Sequence, residues 1–307
     1  MQNRKLSDYF IISLKGITMG AADVVPGVSG GTIAFISGIY DELLSSINAF
    51  NLDLFNIFKN EGFKKVWEKV NGNFLVALFS GILISIVSLA KMLSWLLENK
   101  PIFIWSFFFG LVLASIIFVI RQIKIWDIKS IISLIVGISL AYFITQISPT
   151  VNSNPSKIYL FFSGAIAICA MILPGISGSF VLVLLGVYAF VLDSVHQFKI
   201  GVILTVFLGA IVGLLSFSKF LKYLLDRYRD LTLAILVGFI IGSLNKIWPW
   251  KEILTTQTIN NKLIVLKDKS VLPFDYQGEN HFLAAVGFAF IGFILIVFIE
   301  KWANKNS

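Results

Sequence analysis

The stretch VVPGVSGGTIAF, residues 24–35, decides how this chain is read. Between Pro26 and Thr32 it places one proline, three glycines, a serine and a threonine. Proline removes a backbone donor and glycine costs conformational entropy, so no straight helix runs through it. The surroundings are of the opposite kind: 57% of the 307 residues are hydrophobic and only 14% are charged. A second copy, ILPGISGSFVLV at residues 172–183, shows that the interruption is not an accident.

That balance lies far from the soluble globular norm, and apolar runs recur along the whole length. Several reach the roughly 20 residues that a helix needs to cross the hydrocarbon core. The chain therefore reads as a polytopic membrane protein with no sizeable soluble domain. The formal charge of +8 is spread over short loops instead of forming a stripe interleaved with aromatics, which argues for topology signals and anionic headgroups and against nucleic acid. One cysteine, Cys169, excludes an intramolecular disulfide, and His196 and His281 lie far apart, so no metal and no cofactor is expected. Arg4 and Lys5 precede an apolar run that Lys15 interrupts, so the N-terminus reads as retained and not as a cleaved signal.

Placing Pro26 on Pro174 aligns residues 26–50 with 174–198 without a gap, and the identities include Gly27/Gly175, Ser29/Ser177, Gly30/Gly178, Gly38/Gly186 and Tyr40/Tyr188. With a shorter offset, Gly81, Ser88, Lys91 and Gly110 match Gly209, Ser216, Lys219 and Gly238. One ancestral unit has been used twice, in residues 1–148 and 149–307. Each copy has a short apolar segment (10–22; 158–173), the Pro-Gly break, and a second short segment (32–49; 180–195). Three longer runs follow, at 74–97, 101–120 and 130–148, then at 200–221, 231–247 and 282–299. The paired short segments predict a re-entrant helical hairpin, tolerated at membrane depth only where protein or water surrounds it.

A hairpin that returns to its own side leaves three crossings per copy, so the second copy is expected to be inverted. With both termini cytoplasmic, the inner segments collect Arg4, Lys5, Lys59, Lys64, Arg121, Lys124, Lys222 and Arg227, while the short outer loops carry only Lys100, Lys157 and Lys199. This satisfies the positive-inside rule. The insertion at 51–72 reads as an amphipathic helix on the inner surface, and the loop at 246–280 falls outside, with Trp248 and Trp250 as interfacial anchors. The predicted fold is thus all-α: two inverted repeats, each a hairpin broken at PGxSG plus three transmembrane helices.

Inverted repeats with broken helices are the plan of secondary transporters, which hold substrate between the repeats. Ser29 and Ser177 are placed to cap the outgoing helices. Gly30, Gly31 and Thr32, and Gly178 and Ser179, supply free N–H groups suited to a phosphate. Pro26, Gly27, Pro174 and Gly175 make the breaks; the same glycines also suit simple close packing. Lys15 and Asp23 flank the first break eight residues apart, about 12 Å on a regular helix, too far for a direct bridge. Asp23 is the candidate for proton or sodium coupling and Lys15 for phosphate attraction. The second copy has Met171 and Ser163 in their place. Lys91 and Lys219 are candidates for headgroup capture on opposite faces, and all three lysines are also able to snorkel.

The stretches LKGITMGAADVVPGVSGGTIAFISGIYDELL and MILPGISGSFVLVLLGVY resemble the bacterial polyprenyl-phosphate transporter family, once an integral membrane domain of unknown function. The resemblance spans nearly the whole chain. It implies a flippase that returns undecaprenyl phosphate from the outer to the inner leaflet of the cytoplasmic membrane, recycling the lipid carrier for peptidoglycan and other envelope polymers. Its partners would be that lipid and the bilayer. Two other classes remain open: an ion-coupled carrier of a small anion, and an enzyme like the undecaprenyl-diphosphate phosphatases. The latter have a similar duplicated plan with a PGxSRSG motif, whose arginine is missing from PGVSGGT and PGISGSF.

Overall fold

The long apolar runs become helices whose ends follow the local chemistry. In the computed structural model, which describes residues 4–24, 29–147, 152, 154–259 and 262–305, the first half contains α1 (Leu6–Val24), α2 (Gly30–Ile36), α3 (Tyr40–Asn48), α4 (Asp53–Glu61), α5 (Phe63–Lys69), α6 (Gly72–Asn99), α7 (Pro101–Ile120) and α8 (Ile128–Gln146). The second half contains α9 (Lys157–Ile172), α10 (Gly178–Leu184), α11 (Tyr188–His196), α12 (Ile200–Arg227), α13 (Arg229–Ser243) and α14 (Phe282–Lys305). Pro101 opens α7, where its missing N–H has no intrahelical partner to lose. Asp127 caps α8 by accepting from Ser130 N, and Ser156 caps α9 by accepting from Tyr159 N.

Among the described residues α6, α7, α8, α12 and α13 with its 3-10 extension are long and apolar enough to cross a membrane, and a sixth span is reached if the bent pair α10–α11 is counted. The chain is a multi-pass membrane protein. The helices pack as four pairs: α1 along α6, α9 along α12, α7 along α14 and α8 along α13. Two pairs lie within a half and two join the halves. Between helices in lipid there is little hydrophobic drive, so close approach through small residues matters. Each seam has glycine on both sides. A methyl group on Gly16 would strike the Leu78 carbonyl and one on Gly81 that of Ser13; Gly164 and Gly209 meet Val206 and Phe161 likewise. Across the halves, Gly110 abuts Ala289, Gly292 abuts Phe107, Gly137 abuts Ile235 and Gly238 abuts Leu134.

Three features differ from the sequence reading. The chain is mostly helical, in keeping with the expected all-α membrane fold, but in the loop after α13 β1 (Lys251–Ile259) and β2 (Lys262–Ser270) form an antiparallel pair. The run contains β-branched Ile253, Thr255, Thr256, Thr258, Ile264 and Val265, which favour a pleated strand. The surface helix at 51–72 is two helices, broken at Gly62, whose φ of +81° lies in the left-handed region. The segments expected as outgoing limbs, 32–49 and 180–195, are likewise each two helices. Gly38 (φ +73°) and Gly186 (φ +72°) divide them, and α10 and α11 bend by 115°. Nothing lies within 4 Å of a Cβ built on Gly38, so its glycine answers to backbone conformation alone.

Candidate functional site

The two broken segments meet. α9 ends at Ile172, and the last carbonyls of a helix have no partner within it. The first half supplies hydroxyls: Ser29 Oγ lies 3.1 Å from Met171 O and 3.4 Å from Leu173 O, and Tyr40 OH donates to Ile172 O at 3.0 Å. In return Gly175 N donates to Thr32 Oγ1 at 2.9 Å. Ser29 is fully buried and Thr32 is 1% exposed, so these bonds exclude competing water. Gly31 makes the approach possible, since a Cβ there would stand 2.7 Å from Ile172 O.

At the first break α2 runs back along α1, and charges on α1 meet both of its ends. Asp23 Oδ1 accepts from Gly30 N at 2.7 Å, and Ser29 Oγ accepts from Gly31 N at 3.1 Å. At the other end Lys15 Nζ donates to Ser37 O at 2.7 Å. A carboxylate at the N-terminus and an ammonium at the C-terminus each complement the helix dipole. Lys15 and Asp23 do not bridge one another, as their spacing on a regular α1 requires. Lys15 stands at the end of α2 remote from Gly30. Pro26 and Gly27 lie outside the described residues.

The second break has its own set of contacts. Gly175 has a φ of +90°, and a Cβ on it would meet Ser243 Oγ at 2.7 Å. Ser177 Oγ accepts from Phe180 N at 3.2 Å and lies 3.2 Å from Ser179 Oγ. Pro174 and Ser177 are buried, Gly178 is half-buried and Ser179 is exposed. No acid stands at the α10 N-terminus: Met171 occupies the place of Asp23, and Ser163, in the place of Lys15, donates to Tyr159 O at 2.7 Å. Lys91 and Lys219 are exposed on α6 and α12, with no ion pair among the described residues.

Several polar groups were not singled out from the sequence. Tyr40 belonged to the repeated set, which was the available signal. Arg4 forms a bidentate pair with Glu42 at 2.5 and 2.7 Å, and Asn71 Nδ2 donates to the same carboxylate at 2.7 Å, tying α3 to the chain start and to α6. Beyond α13, Lys246 and Lys251 share the Asp268 carboxylate at 3.2 and 3.4 Å. Burial pushes the Lys251 ammonium down to about 8, opposed by Asp268. Only the neighbouring Trp248 and Trp250 in the expected outer loop hinted at them.

A bundle of apolar, glycine-seamed helices that brings two broken segments together has the build of a membrane carrier. Comparison with known proteins agrees. Residues 19–264 match the VCA0040-like family, described as undecaprenyl phosphate translocase-like, and the chain belongs to that family. It is 47% identical over 306 residues to a polyprenyl-phosphate transporter of Vibrio cholerae serotype O1, covering 98% of this chain and 99% of the relative. A polyprenyl-phosphate transporter of Staphylococcus aureus is 32% identical over 253 residues, covering 77% and 85%. No solved structure matches the chain. The protein is a transporter and not an enzyme.

Proposed function

We propose that the chain carries undecaprenyl phosphate from the outer to the inner leaflet of the bacterial cytoplasmic membrane, returning the lipid carrier to cell-envelope synthesis. The observation that carries this reading is the meeting of the two PGxSG segments inside an apolar bundle, Ser29 on Met171 and Thr32 on Gly175. Taking a bare phosphate through hydrocarbon costs tens of kcal/mol by idealised solvation arguments, whereas the isoprenoid tail is at home in lipid. A protein needs only to shield the headgroup while the tail trails in the bilayer.

In this reading the halves are inverted repeats with both termini cytoplasmic, each with a re-entrant hairpin. The charge bias of the loops and the matched pairing of α1–α6 with α9–α12 support it. The headgroup is received by Ser177, Gly178 and Ser179, and by Ser29, Gly30, Gly31 and Thr32 once Asp23 withdraws from Gly30. Asp23 and the phosphate are then rival anions for one amide, so neutralising Asp23 with a proton or sodium ion couples the ion to the lipid. Lys15, Lys91 and Lys219 supply positive potential along the path.

The test is reconstitution in liposomes containing undecaprenyl phosphate, following loss of phosphate accessible to an external phosphatase. Protein-dependent loss, accelerated by an imposed proton or sodium gradient, is expected. No movement of lipid, or release of inorganic phosphate from the diphosphate form, overturns the reading; uptake of inorganic phosphate alone replaces it with a small-anion carrier.

A further inference from the structure

The 3-10 turn Leu244–Ile247 and the β-hairpin form a second charged centre, at the end of α13 that the proposed topology places outside. Lys246 Nζ is 3.2 Å and Lys251 Nζ 3.4 Å from Asp268, and Lys251 also donates to Lys246 O. The ammoniums are walled by aromatic rings: Lys251 stands 4.8 Å over Trp105 of α7, and Lys246 stands 5.0 Å over Phe180 of α10. Phe180 lies in the PGISGSF stretch, one residue beyond the exposed Ser179. Trp248 and Trp250 donate to Val271 O and Asn280 O, both at 2.8 Å, and so pin the loop with indoles, the side chains that gather at the headgroup level of a bilayer.

Two cations on one carboxylate leave a positive charge in a place where Lys251 is only 12% exposed. A clasp that only held the hairpin down would be better served by one cation or by apolar packing, because desolvating an uncompensated charge costs stability. A phosphomonoester, with roughly 1.5 to 2 negative charges near neutral pH, matches two ammoniums as one carboxylate does not. We propose that Lys246 and Lys251 form an anion site for a phosphomonoester headgroup, in which Asp268 is a resident ligand that the phosphate displaces on its way to the second break. That the phosphate belongs to a lipid rests on the transport reading above.

The experiment titrates the purified full chain with farnesyl phosphate and, separately, with inorganic phosphate, by calorimetry. Lys246→Gln and Lys251→Gln are each expected to weaken binding roughly tenfold, the effect of losing one charge-assisted contact. Asp268→Asn is expected to tighten it, since the rival is gone. Opposite signs separate a ligand site from a clasp. Asp268→Asn weakening the affinity as much as the lysine variants, or lysine variants that bind like wild type, overturns the proposal. Should Lys251→Gln not fold, Lys246→Gln decides, being the more exposed of the two at 19%. The same signs with inorganic phosphate only assign the site to a free anion. Binding without leaflet transfer by the wild-type protein keeps this site and removes the transport reading; transfer by Lys246→Gln and Lys251→Gln at the wild-type rate does the reverse.

Discussion

The two breaks share a sequence plan and are each followed by a pair of short helices, yet the helix after one is clasped by charges on the helix before it and the helix after the other is not. At the first, Asp23 holds Gly30 N and Lys15 holds Ser37 O, so α2 is clasped at both ends. At the second, Met171 and Ser163 stand in those places, Ser179 is exposed, and Lys246, from the 3-10 turn after α13, stands over the ring of Phe180. Alike in sequence, the two segments differ at a few positions that leave α2 clasped at both ends and Ser179 exposed.

The largest effect is expected at Asp23. In Asp23→Asn the carbonyl still accepts from Gly30 N but the group no longer titrates. Lipid transfer in liposomes should fall by more than about tenfold, about 1.4 kcal/mol in the barrier, and should lose its response to the imposed gradient. An unchanged rate and response would reduce Asp23 to a helix cap. Next comes the contact between the breaks. Thr32→Val leaves the half-buried Gly175 N without its acceptor, which costs about 1–3 kcal/mol and lowers the thermal midpoint. Ser179→Ala, at the second break, should leave stability unchanged; equal losses in both would erase the contrast between the breaks.

A pH dependence is expected of the loop beside the second break. Lys251 titrates near 8 in the folded protein, against 10.5 when free. Between those values the unfolded chain binds the extra proton, so stability rises with pH across that window, and below it the burden of the buried charge is present in full. Thermal melts from pH 8 to 10 should show this rise in the wild type and lose it in Lys251→Met. An identical slope in both would assign the dependence to another group.

Much of the frame was legible in the residues. The segment expected at 101–120 is α7 residue for residue, and the repeated PGxSG pair led directly to the two segments that touch. Hydropathy alone could not show which helices pair, because the seams are set by glycine faces, and Gly110 finds Ala289 only after the chain has folded back across the other half. The β-hairpin was hidden because its lysines and threonines look like a polar loop when only apolar runs are followed. The partner of Asp23 was hidden for a different reason. Gly30 N comes within reach only once α2 turns back along α1, and no spacing along the chain records that reversal.

The pairing of α7 with α14 and of α8 with α13 makes each half the missing wall of the other. Cutting the chain between α8 and α9 would not release two miniature carriers. It would leave fragments with unmated glycine grooves, able to work only after re-threading around one another. The packing units of this molecule are therefore interlaced pairs of helices, two of them shared between the halves.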